Sequence, residues 1–142
     1  MRGTERYMEK CKPIENDKFG FLCGRNCIIA ESITQKKNCL QIKAEIDGML
    51  ASKIDKDINI LVDICFKGVI AYYECELDTY EAIENTPDCN GREVFWIVED
   101  SQWLDRLPVR KDYDKSSYKH YVLYEYDHVF NVFAKGYEIN GL

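Results

Sequence analysis

YKHYVLYEYDHVFNVFAKGYEI, residues 118–139, holds seven of the eighteen aromatic residues of the chain and both histidines. From Lys119 to Tyr126 the side chains alternate about a strand axis, and aromatic and β-branched residues favour a pleated, half-buried surface. Asp127 tolerates turn geometry, so we expect the chain to reverse at Asp127-His128. A second apolar run, from Val129 to Phe133, follows and is ended or bent by Gly136. This stretch therefore predicts two aromatic strands joined by a tight turn.

A short helix is the alternative for the second half of this stretch. Asp127 is a residue type that caps helices, and the helix would run from His128 to Ala134. Periodicity does not separate a helix from a strand over so few residues. We favour the hairpin because the run is rich in valine and phenylalanine.

Alternation of apolar and polar residues predicts further strands upstream. It is clearest between residues 39 and 46, where leucine, isoleucine and alanine alternate with glutamine, lysine and glutamate, as in an antiparallel strand with one face in water. The predicted upstream strands are Arg25–Ile33, Cys39–Ile46, Ile58–Phe66, Val69–Leu77 and Glu93–Glu99.

Two short helices complete the predicted elements. Asp78 and Glu81 have capping-box spacing ahead of a helix over Tyr80–Asn85. Ser101 is placed to cap a second helix, Gln102–Leu107, which Pro108 ends. Parallel strands need long crossover helices, and the chain has none. The fold class expected is therefore α+β, a predominantly antiparallel β-sheet of about seven strands with two short helices.

The length and composition indicate one domain in a reducing compartment. A chain of 142 residues is typical of a single domain, and we expect residues 1–18, of mixed charge, to form a loosely ordered arm. The apolar runs are too short to span a bilayer, and the N-terminal segment lacks the apolar core of a secretory signal. Seven cysteines, an odd number spread along the chain, are expected as free thiols. We therefore expect a cytoplasmic protein with no membrane partner.

The net charge of −6 is unevenly distributed. Residues 74–105 contain ten acids and one base, Arg92, whereas the rest of the chain is slightly basic. A concentrated acidic surface speeds association with a basic protein and repels nucleic acid. A solvated face without a partner is the alternative. The candidate partner-binding residues are Glu74, Glu76, Asp78, Glu81, Glu84, Glu99, Asp100, Trp103 and Asp105.

No motif in the sequence establishes a catalytic or metal site. Cys23, Cys27 and Cys39, with His120 or His128, have the right donor types for zinc but lack a C-x-x-C pair, so we expect buried thiols instead. His120 lies on the face of a predicted strand and is expected in the core. We therefore predict no catalytic residues, no metal and no cofactor.

Carboxylate pairs are the remaining catalytic possibility. Asp47, Asp55 and Asp57 form one set that folding can bring together, and Asp100 with Asp105 forms another. In a chain this rich in acids, chance proximity explains such pairs equally well. We therefore do not predict an enzyme.

Two segments have a familiar pattern: SQWLDRL at residues 101–107 and HYVLYEYDHVFNVFA at residues 120–134. Together they resemble small bacterial proteins, some of which accompany secreted toxins as immunity proteins. The resemblance covers short structural motifs and implies a small, acidic, cytosolic binding protein without catalytic residues.

The expected function is therefore that of a non-enzymatic binding domain. Its acidic surface would engage a basic protein partner, as an inhibitor or immunity protein does. A small-molecule binder or enzyme with a site near the aromatic C-terminal strands is one alternative. A homo-oligomer that pairs through a sheet edge or an aromatic face is another.

Overall fold

Strands in which apolar and polar residues alternate are the main secondary-structure elements of this protein. The computed structural model describes residues 9–142, which form nine strands in two antiparallel sheets and two short α-helices. The strands are β1 (Lys10–Pro13), β2 (Ile28–Lys36), β3 (Cys39–Asp47), β4 (Asn59–Lys67), β5 (Ala71–Glu76), β6 (Phe95–Glu99), β7 (Lys119–Tyr124), β8 (His128–Ala134) and β9 (Gly136–Gly141). The helices are α1 (Leu77–Glu81) and α2 (Gln102–Arg106), with 3-10 turns at Gly48–Leu50 and Lys115–Ser117. The predicted α+β, mainly antiparallel class is confirmed.

The two sheets are interleaved along the chain. The first sheet has five strands in the order β1-β6-β7-β8-β5, and the second has four in the order β2-β3-β4-β9. The chain therefore starts in the first sheet, builds three strands of the second, returns for four strands of the first, and ends in the second. All neighbouring strands are antiparallel.

The aromatic C-terminal stretch forms the β7–β8 hairpin, with Tyr124 opposite Val129 next to the turn. The predicted pair of strands is confirmed, and the helical alternative over residues 128–134 is wrong. Cross-strand pairing satisfies the backbone groups, and both faces of β8 are buried, which suits its valines and phenylalanines better than a short helix would. Gly136 begins β9 after a one-residue gap.

Two cores lie on opposite faces of the first sheet. Its inner face packs on the second sheet, where Phe66 of β4 contacts Phe95 of β6 and Tyr121 of β7. Its outer face is covered by α1, α2 and the segment after α1, around a smaller core that contains Tyr80, Trp96 and Val122. The β7–β8 hairpin is therefore buried on both sides.

The structure differs from the predicted elements in four places. β1 and β9 are strands where none was predicted, so residues 10–13 of the predicted arm pair with β6, while residues 1–8 lie outside the described part. β2 begins at Ile28 and extends to Lys36. The helix predicted over residues 80–85 occurs earlier, as α1. The capping box predicted for Asp78 and Glu81 is wrong, because Glu76 is the N-cap and makes no side-chain cap bond.

Candidate functional site

The antiparallel order separates the acidic segment 74–105 into two groups. Glu76 is opposite His128, at the end of the first sheet where β8 begins. Val98 is opposite His120, near the end where β7 begins, so Glu99 and the residues after it lie at the other end of the sheet. Glu74, Glu76, Asp78 and Glu81 therefore lie at one end, and Glu99, Asp100, Trp103 and Asp105 at the other. The nine predicted binding residues do not form one surface.

Glu84 belongs to neither group. It is exposed in the segment that follows α1 and crosses the outer face of the first sheet. Tyr80 at the start of this crossing bonds Asn131 of β8, whereas Cys89 further along packs near Tyr124.

Two adjoining clefts form a groove at the first end. The larger, of about 600 Å³, is lined by α1, by residues 89–94 and by the end of β7, and the smaller, of about 240 Å³, lies between α1 and the β7–β8 turn. Both clefts are lined by Arg25 and Leu77, so they form one feature. We call it the acidic groove, after its four exposed carboxylates, Glu76, Asp78, Glu81 and Asp127, and the half-buried Glu93.

Two arginines are the counter-charges among the lining residues of the acidic groove. Arg25 lies over the Tyr126 ring at 5.0 Å, its Nε donates to the Tyr126 carbonyl, and its Nη2 is 3.9 Å from Asp127. The side chains of Arg25 and Asp127 are both about three-fifths exposed, so their ion pair is weak. Arg92 lines the larger cleft. Carboxylates therefore exceed cations in the groove, and most of their charge faces solvent.

A buried carboxylate holds the floor of the acidic groove in place. Glu125 is 5 % exposed. One oxygen of Glu125 accepts the backbone N–H groups of Asp127 and His128, at 2.8 and 2.9 Å, and the other accepts Ala30 N–H of β2 at 2.9 Å. His128 also places its imidazole 3.3 Å from Glu125 and 3.9 Å from Glu74. The β7–β8 turn is thus attached to the second sheet, which makes this end of the groove rigid.

The second end carries charges of both signs. Glu99 pairs with Lys12 at 3.0 Å, and the Lys115 ammonium donates to the Asp105 carbonyl at 2.6 Å. A cleft of about 650 Å³ at this end is lined by Asp100, Asp105, Lys115 and Lys119 among others. The carboxylates here are accompanied by nearby lysines, which weakens the attraction for a basic partner.

Trp103 is half-buried and packs against the protein. Its ring stacks on His120 with centroids 5.8 Å apart and meets the edge of Tyr73 at 6.3 Å. Through these contacts the indole covers part of the outer face of the first sheet. Trp103 is therefore mainly a packing residue in this structure.

A chain of hydrogen-bonded side chains runs beneath the second cleft. Ser101 Oγ is 2.7 Å from His120 Nδ1, His120 Nε2 is 2.7 Å from Asn131 Oδ1, and Asn131 Nδ2 donates to the Tyr80 hydroxyl at 3.2 Å. The order serine, histidine, amide matches that of a nucleophile, a base and an orienting group. Asn131 was not predicted, although a lone asparagine in the run VFNVF is the signal of a bonded polar group in a core.

Burial indicates that this hydrogen-bonded series of side chains has a structural role. His120 and Asn131 are 0 % exposed, and Ser101 Oγ already accepts Leu104 N–H as the cap of α2. Burial lowers the pKa of His120 to about 4, so the imidazole is neutral near pH 7. Ser101 and His120 line the second cleft, but both ring nitrogens of His120 are already hydrogen-bonded within the protein. The predicted core position of His120 is confirmed.

Among the described residues, the candidate metal ligands named from the sequence are not grouped as a metal site. Within residues 9–142, no three or more histidine, cysteine, aspartate or glutamate side chains are grouped so that they can hold a metal ion. Asp100 and Asp105 line the same cleft at the second end, beside two lysines. Over the same residues, no helix is long and apolar enough to cross a membrane.

Comparison of this chain with protein-family models, with curated proteins and with solved structures found no match.

Proposed function

We propose that this protein is a non-enzymatic binding domain that engages a basic protein partner through the acidic groove. The observation that supports the proposal is the set of five carboxylates, four of them exposed, around two arginines, at the end of the sheet that Glu125 attaches to β2. Such a surface raises the association rate for a cationic partner and selects against anionic ones, nucleic acid included. We place the protein in the cytoplasm, where seven free thiols are stable.

The form of binding that we propose is inhibition by occlusion, as in the immunity proteins that residues 101–107 and 120–134 resemble. The groove has an apolar floor, with Leu77, Val94 and Tyr124 among its lining residues. A lysine or arginine side chain suits this arrangement, because its methylene stem covers apolar surface while its charged head reaches the carboxylates. Of the residues predicted from sequence, Glu76, Asp78 and Glu81 line the groove.

Paired charge-neutralising variants test the groove. Glu81→Gln with Glu93→Gln removes two charges from the groove, and Glu99→Gln with Asp105→Asn removes two from the second end. The wild-type protein and both variants serve as baits for proteins of the source cell at low and at moderate salt. We expect the groove variant to weaken capture of a basic partner by about tenfold. Each exposed ion pair with the partner contributes about 1 kcal/mol or less to the binding free energy, and the variant loses two of them.

The control variant should capture the partner as the wild-type protein does. Higher salt should weaken capture by the wild-type protein and by the control variant, because exposed charges are screened. Equal loss in the two variants would mean that net charge alone acts, and the groove would then have no special role. Failure to capture any salt-sensitive basic protein would also oppose the proposal.

A small-molecule site near the aromatic strands is the second candidate function. The cleft of about 650 Å³ at the second end favours it, because Leu104 and Tyr118 give that cleft apolar walls beside charged groups. A screen of small anions and neutral fragments by amide chemical shifts tests this candidate. Shifts confined to Leu104, Tyr118 and Lys119 would support it, and an unresponsive cleft would remove it.

A further inference from the structure

Cys11 and Cys89 bring two thiols together on the outer face of the first sheet. Cys11 lies on β1 opposite Val98, and Cys89 lies in the segment that follows α1. Both side chains pack on the smaller core, where the two thiols are close enough to interact. Neither residue is fully buried.

The environment makes the two thiols unequal. The hydrogen bond from Cys89 lowers the pKa of Cys11, although burial, Glu9 and Asp88 oppose this. The same hydrogen bond, together with burial, raises the pKa of Cys89. Cys11 is therefore the thiol that ionises first, and thiolate is the reactive form of cysteine.

We propose that Cys11 and Cys89 are a redox-active pair that closes to an intramolecular disulfide by exchange with a low-molecular-weight disulfide. The Cys11 thiolate attacks one sulfur of glutathione disulfide, which forms a mixed disulfide and releases one glutathione thiolate. Cys89 then loses its proton to solvent and attacks the Cys11 sulfur, and the second glutathione thiolate leaves. Two protein thiols are oxidised to one disulfide, and one glutathione disulfide is reduced to two thiols.

The product fits the fold. Two thiols that pack on the same cluster and interact are placed to form a disulfide bond of about 2.05 Å. The bond would join β1, an edge strand that pairs with β6, to the segment carrying Cys89. This inference does not depend on the proposed function, although Cys89 also lines the acidic groove.

Equilibration of the reduced, full-length protein with mixtures of reduced and oxidised glutathione tests the pair. Remaining thiols are trapped with N-ethylmaleimide, and non-reducing peptide mapping by mass spectrometry identifies the bonds. We expect one dominant bond, Cys11 to Cys89, and a higher Tm for the oxidised protein. Five of the seven thiols should stay free, since two are consumed.

Single variants separate the roles of the two cysteines. Cys89→Ser should accumulate a mixed disulfide on Cys11, because no second thiol displaces glutathione. Cys11→Ser should leave Cys89 largely unmodified. The variant Cys39→Ser with Cys65→Ser is the control, since these cysteines lie on neighbouring strands β3 and β4 out of direct register, and it should form the bond normally.

Alkylation of both Cys11 and Cys89 in the folded protein under oxidising mixtures would overturn the proposal. Bonds distributed equally among other cysteine pairs would overturn it as well. A single bond between Cys11 and Cys89 that persists in the control variant would establish it.

Discussion

At the scale of single residues, buried polar groups determine how this fold depends on conditions. His120 has a partner on each ring nitrogen and packs against the rings of Trp103 and Phe133. The hydrogen bonds satisfy the neutral imidazole, whereas burial disfavours the positive charge of the protonated form. Protonation of His120 is therefore unfavourable in the folded protein.

We predict that the protein loses stability on mild acidification through His120. The pKa of His120 is about 4 in the folded protein and about 6.5 in the unfolded chain. Between these pH values the unfolded chain binds a proton that the folded protein does not, so acidification stabilises the unfolded state. The associated stability is fully present above about pH 6.5 and falls by about 3 kcal/mol as the pH approaches 4. Urea unfolding at a series of pH values measures this slope.

Histidine variants provide the comparison. His120→Gln should flatten the pH dependence between pH 6.5 and 4, whereas His128→Gln, at the exposed position, should keep most of it. An unchanged slope in His120→Gln would show that another group is responsible.

At the scale of elements, sequence patterns predicted strands well where one face is buried and the other is wet. β3 and β4 follow their alternation almost to the residue, and Ser101 caps α2 as expected. β1 and β9 escaped prediction because they are short and mixed in charge, and pairing with β6 and β4 stabilises them. The acidic segment was predicted as one surface because sequence order does not reveal strand direction.

We predict that the attachment of the β7–β8 turn to β2 depends on Glu125. Glu125→Gln keeps the shape but replaces one carboxylate oxygen with an amide that cannot accept a hydrogen bond. One or more of the three backbone donors is then left unpaired, at a cost of about 2 kcal/mol in the free energy of unfolding.

Chemical denaturation measures this cost, and Glu138→Gln is the matched control. Glu138 is an exposed β9 residue paired with Lys67, so its loss should change stability by about 0.5 kcal/mol or less. Equal effects from the two variants would show that the buried bonds of Glu125 contribute nothing special.

At the scale of the whole molecule, the sheet edges bear on self-association. β2 is a nine-residue edge strand, which is a template for pairing with another chain. Its ladder with β3 is interrupted by a bulge between Ala30 and Ser32, and its end carries Lys36. In the first part of β2, Ala30 N–H donates to the Glu125 carboxylate and the Ile28 carbonyl accepts Tyr126 N–H, so these backbone groups are already paired. Bulges, charge and cover are the features that keep an edge strand unpaired.

We therefore predict a monomer rather than the homo-oligomer that the sequence left open. Size-exclusion chromatography with light scattering should give a mass near 16.7 kDa. Replacing Lys36 with threonine should raise the tendency to associate, because it removes charge from the edge strand. A wild-type dimer would contradict this prediction.

The interleaving of the two sheets has a consequence for folding kinetics. β4 and β9 are neighbours in the second sheet, yet strands β5 to β8 of the first sheet lie between them in the sequence. Closing the second sheet therefore requires a long loop to be ordered first, which slows folding and favours a single cooperative transition. No single cut of the chain yields a fragment with one complete sheet and none of the other, so neither sheet is an independent folding unit.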